Sequence, residues 1–235
     1  MKKNLPLLLL VLVIQFPTFA QYNQKNWGLS LGASIPVGDF GSMDIKNENS
    51  SWARLGINLN FFYEKHLNNS NLGVIGLINA QINPTASQDI ANEYWIVFPY
   101  YNWTVESGSY KRVNLMFGGF TQFKTSNEIF FKPRILLGMM TANSPEITTS
   151  AIGNGEYQWV KQKNKISSAI CFSAGISMNL KMTRESSFKI EVDYLGAKPN
   201  FKDVEIVLMN GGKVTKNFAR SMSTINLNMG LVFEL

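Results

Sequence analysis

Residues 166–180 read Ile-Ser-Ser-Ala-Ile-Cys-Phe-Ser-Ala-Gly-Ile-Ser-Met-Asn-Leu. Ile166, Ser168, Ile170, Phe172, Ala174, Ile176, Met178 and Leu180 alternate with Ser167, Ala169, Cys171, Ser173, Gly175, Ser177 and Asn179. A helix would scatter these two sets around its circumference, whereas a strand puts each on one face. The same period of two runs through Trp27, Leu29, Leu31, Ala33 and Ile35, set against Gly28, Ser30, Gly32 and Ser34. It returns in Leu55, Ile57, Leu59, Phe61 and Tyr63 against Arg54, Gly56, Asn58, Asn60 and Glu64. At the end of the chain Ile225, Leu227, Met229, Leu231, Phe233 and Leu235 alternate with Asn226, Asn228, Gly230, Val232 and Glu234.

Extending this reading over the whole chain gives eight strands, near 26–35, 52–65, 71–82, 112–123, 129–142, 165–181, 187–196 and 219–235. Their connections alternate in length. Residues 66–70, 124–128 and 182–186 are short polar turns, while 36–51, 83–111, 143–164 and 197–218 are long. Short turns at one end and long loops at the other are the pattern of a bacterial outer-membrane barrel, with turns periplasmic and loops extracellular. Strands of this length also match a tilted crossing of the bilayer. The expected fold is therefore all-β: an eight-stranded antiparallel up-and-down transmembrane barrel. On that topology Trp27, Phe61, Tyr63, Phe123, Phe131, Phe188 and Phe233 face outward at the periplasmic end of their strands, as an aromatic girdle would.

Composition agrees. Of 235 residues, 45% are hydrophobic, 12% aromatic and only 16% charged, against about 25% charged in an average soluble domain. This excludes an acidic disordered tail, a coiled coil and a charge-laced helical repeat. One Cys and one His exclude a disulfide scaffold and a Cys/His zinc site. No metal or other cofactor is expected. Residues 1–20 read as a Sec signal peptide: Lys2 and Lys3, an apolar run from Leu5 to Ile14, then Thr18-Phe19-Ala20 before Gln21. Residues 21–235 form the barrel. Setting Lys2 and Lys3 aside lowers the formal charge from +6 to +4, and the remaining bases are scattered, so a nucleic-acid partner is not indicated.

The segment Gly32-Ala33-Ser34-Ile35-Pro36-Val37-Gly38-Asp39-Phe40-Gly41, the strand opening Lys132-Pro133-Arg134 and the closing strand resemble the small outer-membrane β-barrel proteins described as PorT-like or as outer membrane protein beta-barrel domain proteins. The resemblance covers essentially the whole mature chain and implies a fold and an outer-membrane location more than an activity. Asn228-Met229-Gly230-Leu231-Val232-Phe233-Glu234-Leu235 also resembles the C-terminal β-signal read by the barrel-assembly machinery, with Asn228, Gly230, Phe233 and Leu235 at the positions concerned. Leu235 stands where that signal usually ends in Phe.

Eight strands enclose a lumen just wide enough for side chains to fill. The inward set holds Arg54, Glu64, Lys132, Arg134, Lys189, Glu191, Asp193 and Glu234. Four bases and four acids in a narrow interior must pair, and Arg134 with Glu191 or Asp193 is the central pair by depth. A plugged lumen is the expectation, a polar ion path the alternative.

Catalysis is not indicated. His66 falls in a short periplasmic turn beside Asn68 and Asn69, as a solvated residue, and Cys171 points into the lumen as a packing residue. Asp39, Asp44, Asp89 and Glu93 lack calcium-loop spacing, and no glycine-rich phosphate loop precedes a helix. Binding is expected in the long loops. Residues 94–103 read Tyr-Trp-Ile-Val-Phe-Pro-Tyr-Tyr-Asn-Trp, so that Tyr94, Trp95, Tyr100, Tyr101 and Trp103 are candidate contacts for a protein or glycan. Residues 204–218 read as a hairpin turning at Asn210-Gly211-Gly212, and the blander expectation is that the two loops pack into a sheet above the barrel. The functional reading is an integral barrel in contact with outer-membrane lipid, acting as a structural, adhesion or secretion/assembly-complex component. A narrow pore or carrier of small hydrophobic molecules comes second and an outer-membrane lipid hydrolase third.

Overall fold

The computed structural model describes residues 25–67, 70–126, 128–153 and 155–235. The expected signal peptide and the turn residues Asn68 and Asn69 lie outside them. In chain order the elements are β1 (Lys25–Val37), β2 (Gly56–His66), β3 (Leu72–Pro84), α1 (Ser87–Val97), β4 (Asn102–Ser107), β5 (Ser109–Thr121), β6 (Phe123–Lys124), β7 (Ile129–Asn143), β8 (Ile147–Gly153), β9 (Glu156–Gln162), β10 (Ile166–Lys181), β11 (Ser186–Ala197), β12 (Asn200–Leu208), β13 (Lys213–Ala219) and β14 (Ser223–Glu234).

Eight of these close on themselves in the order β1-β2-β3-β5-β7-β10-β11-β14, and β14 pairs back with β1 from Asn26↔Glu234 to Val37↔Ser223. Every pairing is antiparallel. The barrel is the expected one, and its strand bounds fall within a few residues of those read from the alternation. The largest departures are at β14, which begins at Ser223 rather than near residue 219, and at β2, which begins at Gly56 rather than near residue 52. Trp52 sits at φ 56 and Ala53 makes only an isolated bridge to Thr85, so the chain joins the ladder late.

The wall is polar within and apolar without. Leu31, Ile57, Val113, Phe117, Ile135, Ile170 and Met229 are exposed on the outside, while Asn58, Asn60, Asn79, Asn114, Asn226 and Asn228 are buried inside. A water-soluble fold has the opposite arrangement. Such a wall is stable only where its outer surface meets lipid. Gaps in the inner layer are filled by Phe62, Met116, Leu136, Met140 and Cys171, all buried in the main cluster.

The long connections are built as secondary structure rather than left as loops. A second, five-stranded sheet runs β4-β8-β9-β12-β13, repeating the barrel order β5-β7-β10-β11-β14. Each of its strands continues the barrel strand beside it in sequence, so one side of the wall rises past the rim. The hairpin expected over 204–218 is β12–β13, and it joins the β4 segment in this one sheet. Helix α1 packs on β4, with Ile90, Ala91 and Val105 buried between them and Trp52, Tyr94, Trp103 and Ile147 around them.

Gly118 faces inward, and a Cβ there would overlap the carbonyl oxygen of Ile135 on β7 and lie 2.8 Å from the Cα of Leu136. Its neighbour Gly119 faces out, where a Cβ would meet nothing nearer than the Gly73 oxygen at 3.6 Å. We predict that Gly118→Val abolishes the compact form expected on unboiled gels, whereas Gly119→Val retains it. Equal behaviour of the two variants would contradict the closure described here.

Candidate functional site: a filled lumen and an outer sheet

Six of the charges expected in the lumen meet there. Lys132 on β7 places Nζ 2.7 Å from Oε2 of Glu64 on β2. Lys189 on β11 lies 2.8 Å from Oε2 of Glu191 and 3.7 Å from Oε1 of Glu64, with its ammonium 3.6 Å from the centre of the Phe62 ring. Arg134 donates from Nε to Oδ1 of Asp193 at 3.0 Å and from Nη2 to Oδ2 at 2.6 Å. The same Nη2 stands 3.1 Å from Oε2 of Glu191. All six side chains are buried. Three cations therefore face three anions, and Glu191 Oε1 also accepts from Ser30, Asn60 and Asn228. A bidentate guanidinium–carboxylate pair is the strongest geometry open to these groups.

Above the charges lies a ladder of amides. Asn58 donates to Asn228, Asn79 to Asn60 and Asn114 to Asn79, each at 2.6 Å, and Gln81 donates to Asn226 at 3.0 Å. Higher still is Arg112 on β5, buried and not among the expected lumen charges. It donates to Oδ1 of Asn83 at 2.9 Å and to the Met222 carbonyl at 3.4 Å, and its guanidinium sits 4.8 Å from the Phe40 ring centre. Phe40 closes the mouth. The turn Gly38–Phe40 folds inward with Gly38 at φ +60, and Phe40 is fully buried, edge-on to Tyr110. At the opposite mouth a polar vestibule of about 260 Å³ is lined by Asn26, Lys132, Asn179, Arg184 and Glu234, among others.

Two expected lumen residues lie elsewhere. Arg54 precedes β2, its side chain is 51% exposed, and it pairs with Asp89 of α1 outside the barrel. Its alternation with Leu55 and Ile57 continues a strand pattern past the point where the ladder begins. Glu234 ends β14 at the short-turn rim, where it is exposed to the vestibule below the charge layer. His66 also departs from expectation. It is the last residue of β2 and is buried edge-on against Phe120 at 5.0 Å rather than solvated in a turn. Its Nε2 has no hydrogen-bond partner among the described residues.

The seven girdle aromatics stand at the short-turn end. Trp27 stacks on Phe233 at 4.8 Å and lies 6.5 Å from Phe61, while Tyr63 pairs with Trp27 and Phe123 with Phe131 across their ladders. Phe188 faces Leu231 of β14. Of the β-signal positions, Asn228 is buried in the amide ladder, and Gly230 fits against Leu29 and Ser30 of β1. Phe233 and the exposed Leu235 lie at the rim.

The five loop aromatics do not form one surface. Tyr94 stacks on Trp103 at 4.8 Å, with Phe98 and Tyr101 each 6.0 Å from the same indole, so Tyr94, Tyr101 and Trp103 are half-buried in one cluster between α1 and the outer sheet. Trp95 and Tyr100 remain exposed. Helix α1 lies within the long connection expected over 83–111, where Ile90, Ala91 and Tyr94 have helical spacing. On the sheet's outer face Lys161 pairs with Glu146, and Lys163 and Lys213 pair with Glu205. The hydrogen bond from Lys163 holds the Glu205 carboxyl below the usual carboxylate range.

No protein-family model matches the chain, and no curated protein matches it in sequence. Solved structures do. A major outer membrane protein of Thermus thermophilus superposes with a TM-score of 0.52 at 8% identity, over 90% of this chain and 99% of that one. Ail, the attachment invasion locus protein of Yersinia pestis, gives 0.45 at 14% identity over 91% of this chain and all (100%) of its own. Neisserial surface protein A gives 0.41 at 11% identity, over 92% and 100% respectively. The first of these shows the fold: the chain is built as a bacterial outer-membrane β-barrel.

Removing one partner from a buried charge cluster leaves the others uncompensated. Arg134→Ala is expected to destabilise the barrel by about 3–5 kcal/mol, measured by urea unfolding of protein refolded into lipid. Arg134→Ala combined with Asp193→Ala should recover part of that loss. A single variant that unfolds with the parent's midpoint would rule out the pairing as a stabilising element.

Proposed function

We propose that this protein is an integral barrel of the outer membrane with a plugged lumen, exported by its signal peptide and oriented with the outer sheet facing away from the cell. It acts as a structural or adhesion component, or as a subunit of a secretion or assembly complex. The observation that carries this reading is the lumen itself: above the vestibule at the short-turn mouth, paired charges, an amide ladder and the Phe40 plug fill it to the other mouth. A filled barrel transports nothing through its axis, so its function resides on its surfaces. Beyond the membrane-facing wall stands the five-stranded sheet. The PorT-like resemblance supports the same location. A hydrolase reading is disfavoured, since its one candidate base, His66, is packed against Phe120 with Nε2 unpartnered among the described residues; a catalytic base must reach its nucleophile.

The protein should fractionate with the outer membrane, run faster unboiled than boiled, and show no conductance steps in planar bilayers. Regular single-channel openings would overturn the plugged reading in favour of a narrow pore.

We further propose that the last strand is read by the barrel-assembly machinery. Phe233 stacks on Trp27 at the rim, where a charge on the lipid face costs only about 0–1 kcal/mol. Phe233→Asp should therefore reduce inserted protein in cells far more than it reduces spontaneous folding into detergent. Leu235→Phe should raise insertion. Equal losses in both settings for Phe233→Asp would mean that the residue serves stability alone.

A further inference from the structure

The outer sheet ends in three turns along one edge, because its five strands are continuations of five neighbouring barrel strands. Each turn carries large apolar side-chain surface left exposed by the described residues. At the α1–β4 turn, Ile96 is 68%, Phe98 48% and Tyr100 84% exposed. At the β8–β9 turn, Ile152 and its cross-strand partner Tyr157 are 55% and 50% exposed. At the β12–β13 turn, Met209 is 52% exposed.

The first of these turns is the most telling. The early residues of α1 are amphipathic: Ile90 and Ala91 go into the sheet while Gln88, Asp89 and Asn92 face water. Its last turn is not. Trp95, Ile96 and Val97 follow Tyr94 with no polar residue among them, so the helix end is apolar all round and yet exposed. A helix with that pattern ordinarily lies buried. No charged residue occurs from Tyr94 to Val105. The inner side of the segment is satisfied by the Trp103 cluster, so the exposed members are left over after folding.

We propose that these three tips form a platform that inserts into the lipid surface of a facing membrane. The inference rests on the outward orientation and the adhesion reading given above, and names the partner's chemistry. A protein partner would call for one central patch in which anchors are packed and desolvated together. Here the apolar groups are instead strung along one edge over three turns, the first two made neighbours by the Asn102↔Ile152 pairing, as a flat, deformable apolar phase would accept them. On the charge-free first turn, Trp95, Ile96, Phe98 and Tyr100 are side chains suited to the boundary between headgroups and acyl chains, while the other two turns also carry the exposed Glu156 and Lys213. Binding should then be insensitive to salt, because no ion pair carries it.

The test uses the mature protein in nanodiscs, mixed with phosphatidylcholine vesicles and separated by flotation, with empty discs as the control. Loaded discs should float with the vesicles at low and high salt alike. The triple variant Ile96→Ser, Phe98→Ser, Tyr100→Ser should lower that binding by more than about tenfold, since burial of even one such side chain is worth about tenfold. Met209→Ser, on a separate turn, should cause a smaller loss. Unboiled gel migration shows whether each variant retains its barrel. Parallel arms without vesicles measure binding to an immobilised sulfated glycan and disc-to-disc pairing by light scattering. Vesicle binding that survives the triple variant overturns the proposal. Absence of vesicle binding with capture by glycan or by a second copy overturns it too, while leaving the adhesion reading intact. Absence of binding in every arm overturns both.

Discussion

Three strands that share no backbone ladder are held together by charge. Glu64 belongs to β2, Lys132 and Arg134 to β7, and Lys189, Glu191 and Asp193 to β11, and none of these strands is adjacent to another in the barrel. The ion pairs are therefore struts across the lumen. Strand β10 lies between β7 and β11, and its inner face must leave room for them. Gly175 pairs with both Arg134 and Asp193, and Ser177 with both Lys132 and Glu191. A Cβ at Gly175 would overlap Oδ1 of Asp193. The strut and the small residues beneath it thus select one register. A slip of one residue in β7 or β11 would turn its charges into lipid and its apolar residues into the lumen, an error costing several kcal/mol per ion.

That same constraint explains what was readable in the sequence. Strict alternation recovers the barrel strands and the inward parity of Glu64, Lys132, Arg134, Lys189, Glu191 and Asp193, because period two is imposed by the wall itself. It fails at the ends. Arg54 and Glu234 keep the parity but lie beyond the ladder and at the rim, where parity no longer implies enclosure. Arg112 had the parity, alternating with Val113 and Leu115, and was detectable on that basis. The outer sheet was less legible: β8 and β9 read Ile-Thr-Thr-Ser-Ala-Ile-Gly and Glu-Tyr-Gln-Trp-Val-Lys-Gln, and neither has a clean apolar face, since only part of one side is covered. His66 was misplaced because burial at a strand end depends on Phe120, distant in sequence and edge-on to its ring.

Extending five strands beyond the rim creates two sheet edges that a closed barrel lacks, and exposed edges invite unwanted pairing. The two are protected differently. On one side α1 packs against β4, burying Ile90, Ala91 and Val105. On the other, β13 carries Lys213 and Lys216, both exposed, and a charged edge resists the approach of a second strand. The bulge between Phe201 and Val204, with Asp203 at φ 52, bends β12 as it leaves the barrel. Phe201 and Val204 on that bend are buried in the same cluster as Met222 and Phe40. The outer sheet is therefore rooted in the barrel core rather than hinged above it, and its tips are held in fixed relation to the membrane.

Arg112 shows what holds the upper mouth shut. It adds a fourth cation to a lumen whose other charges balance, and its hydrogen bonds go to an amide oxygen and a backbone carbonyl rather than to a carboxylate. A buried guanidinium without an anion is costly, so its position must be supported by whatever surrounds it. Each of its contacts comes from a different segment: Asn83 from β3, Met222 from the approach to β14, and Phe40 from the first long connection, with the cation over the ring face. Asn83 in turn donates to the carbonyls of Ser34 and Arg54. The cation thus draws five segments of the mouth onto itself, with electron-rich groups substituting for the missing counter-ion. Opening the plug would withdraw the Phe40 ring from a buried charge with no acid to replace it. The energetic bias is toward closure, because the cation's partners at the mouth are all neutral and each would be lost on opening.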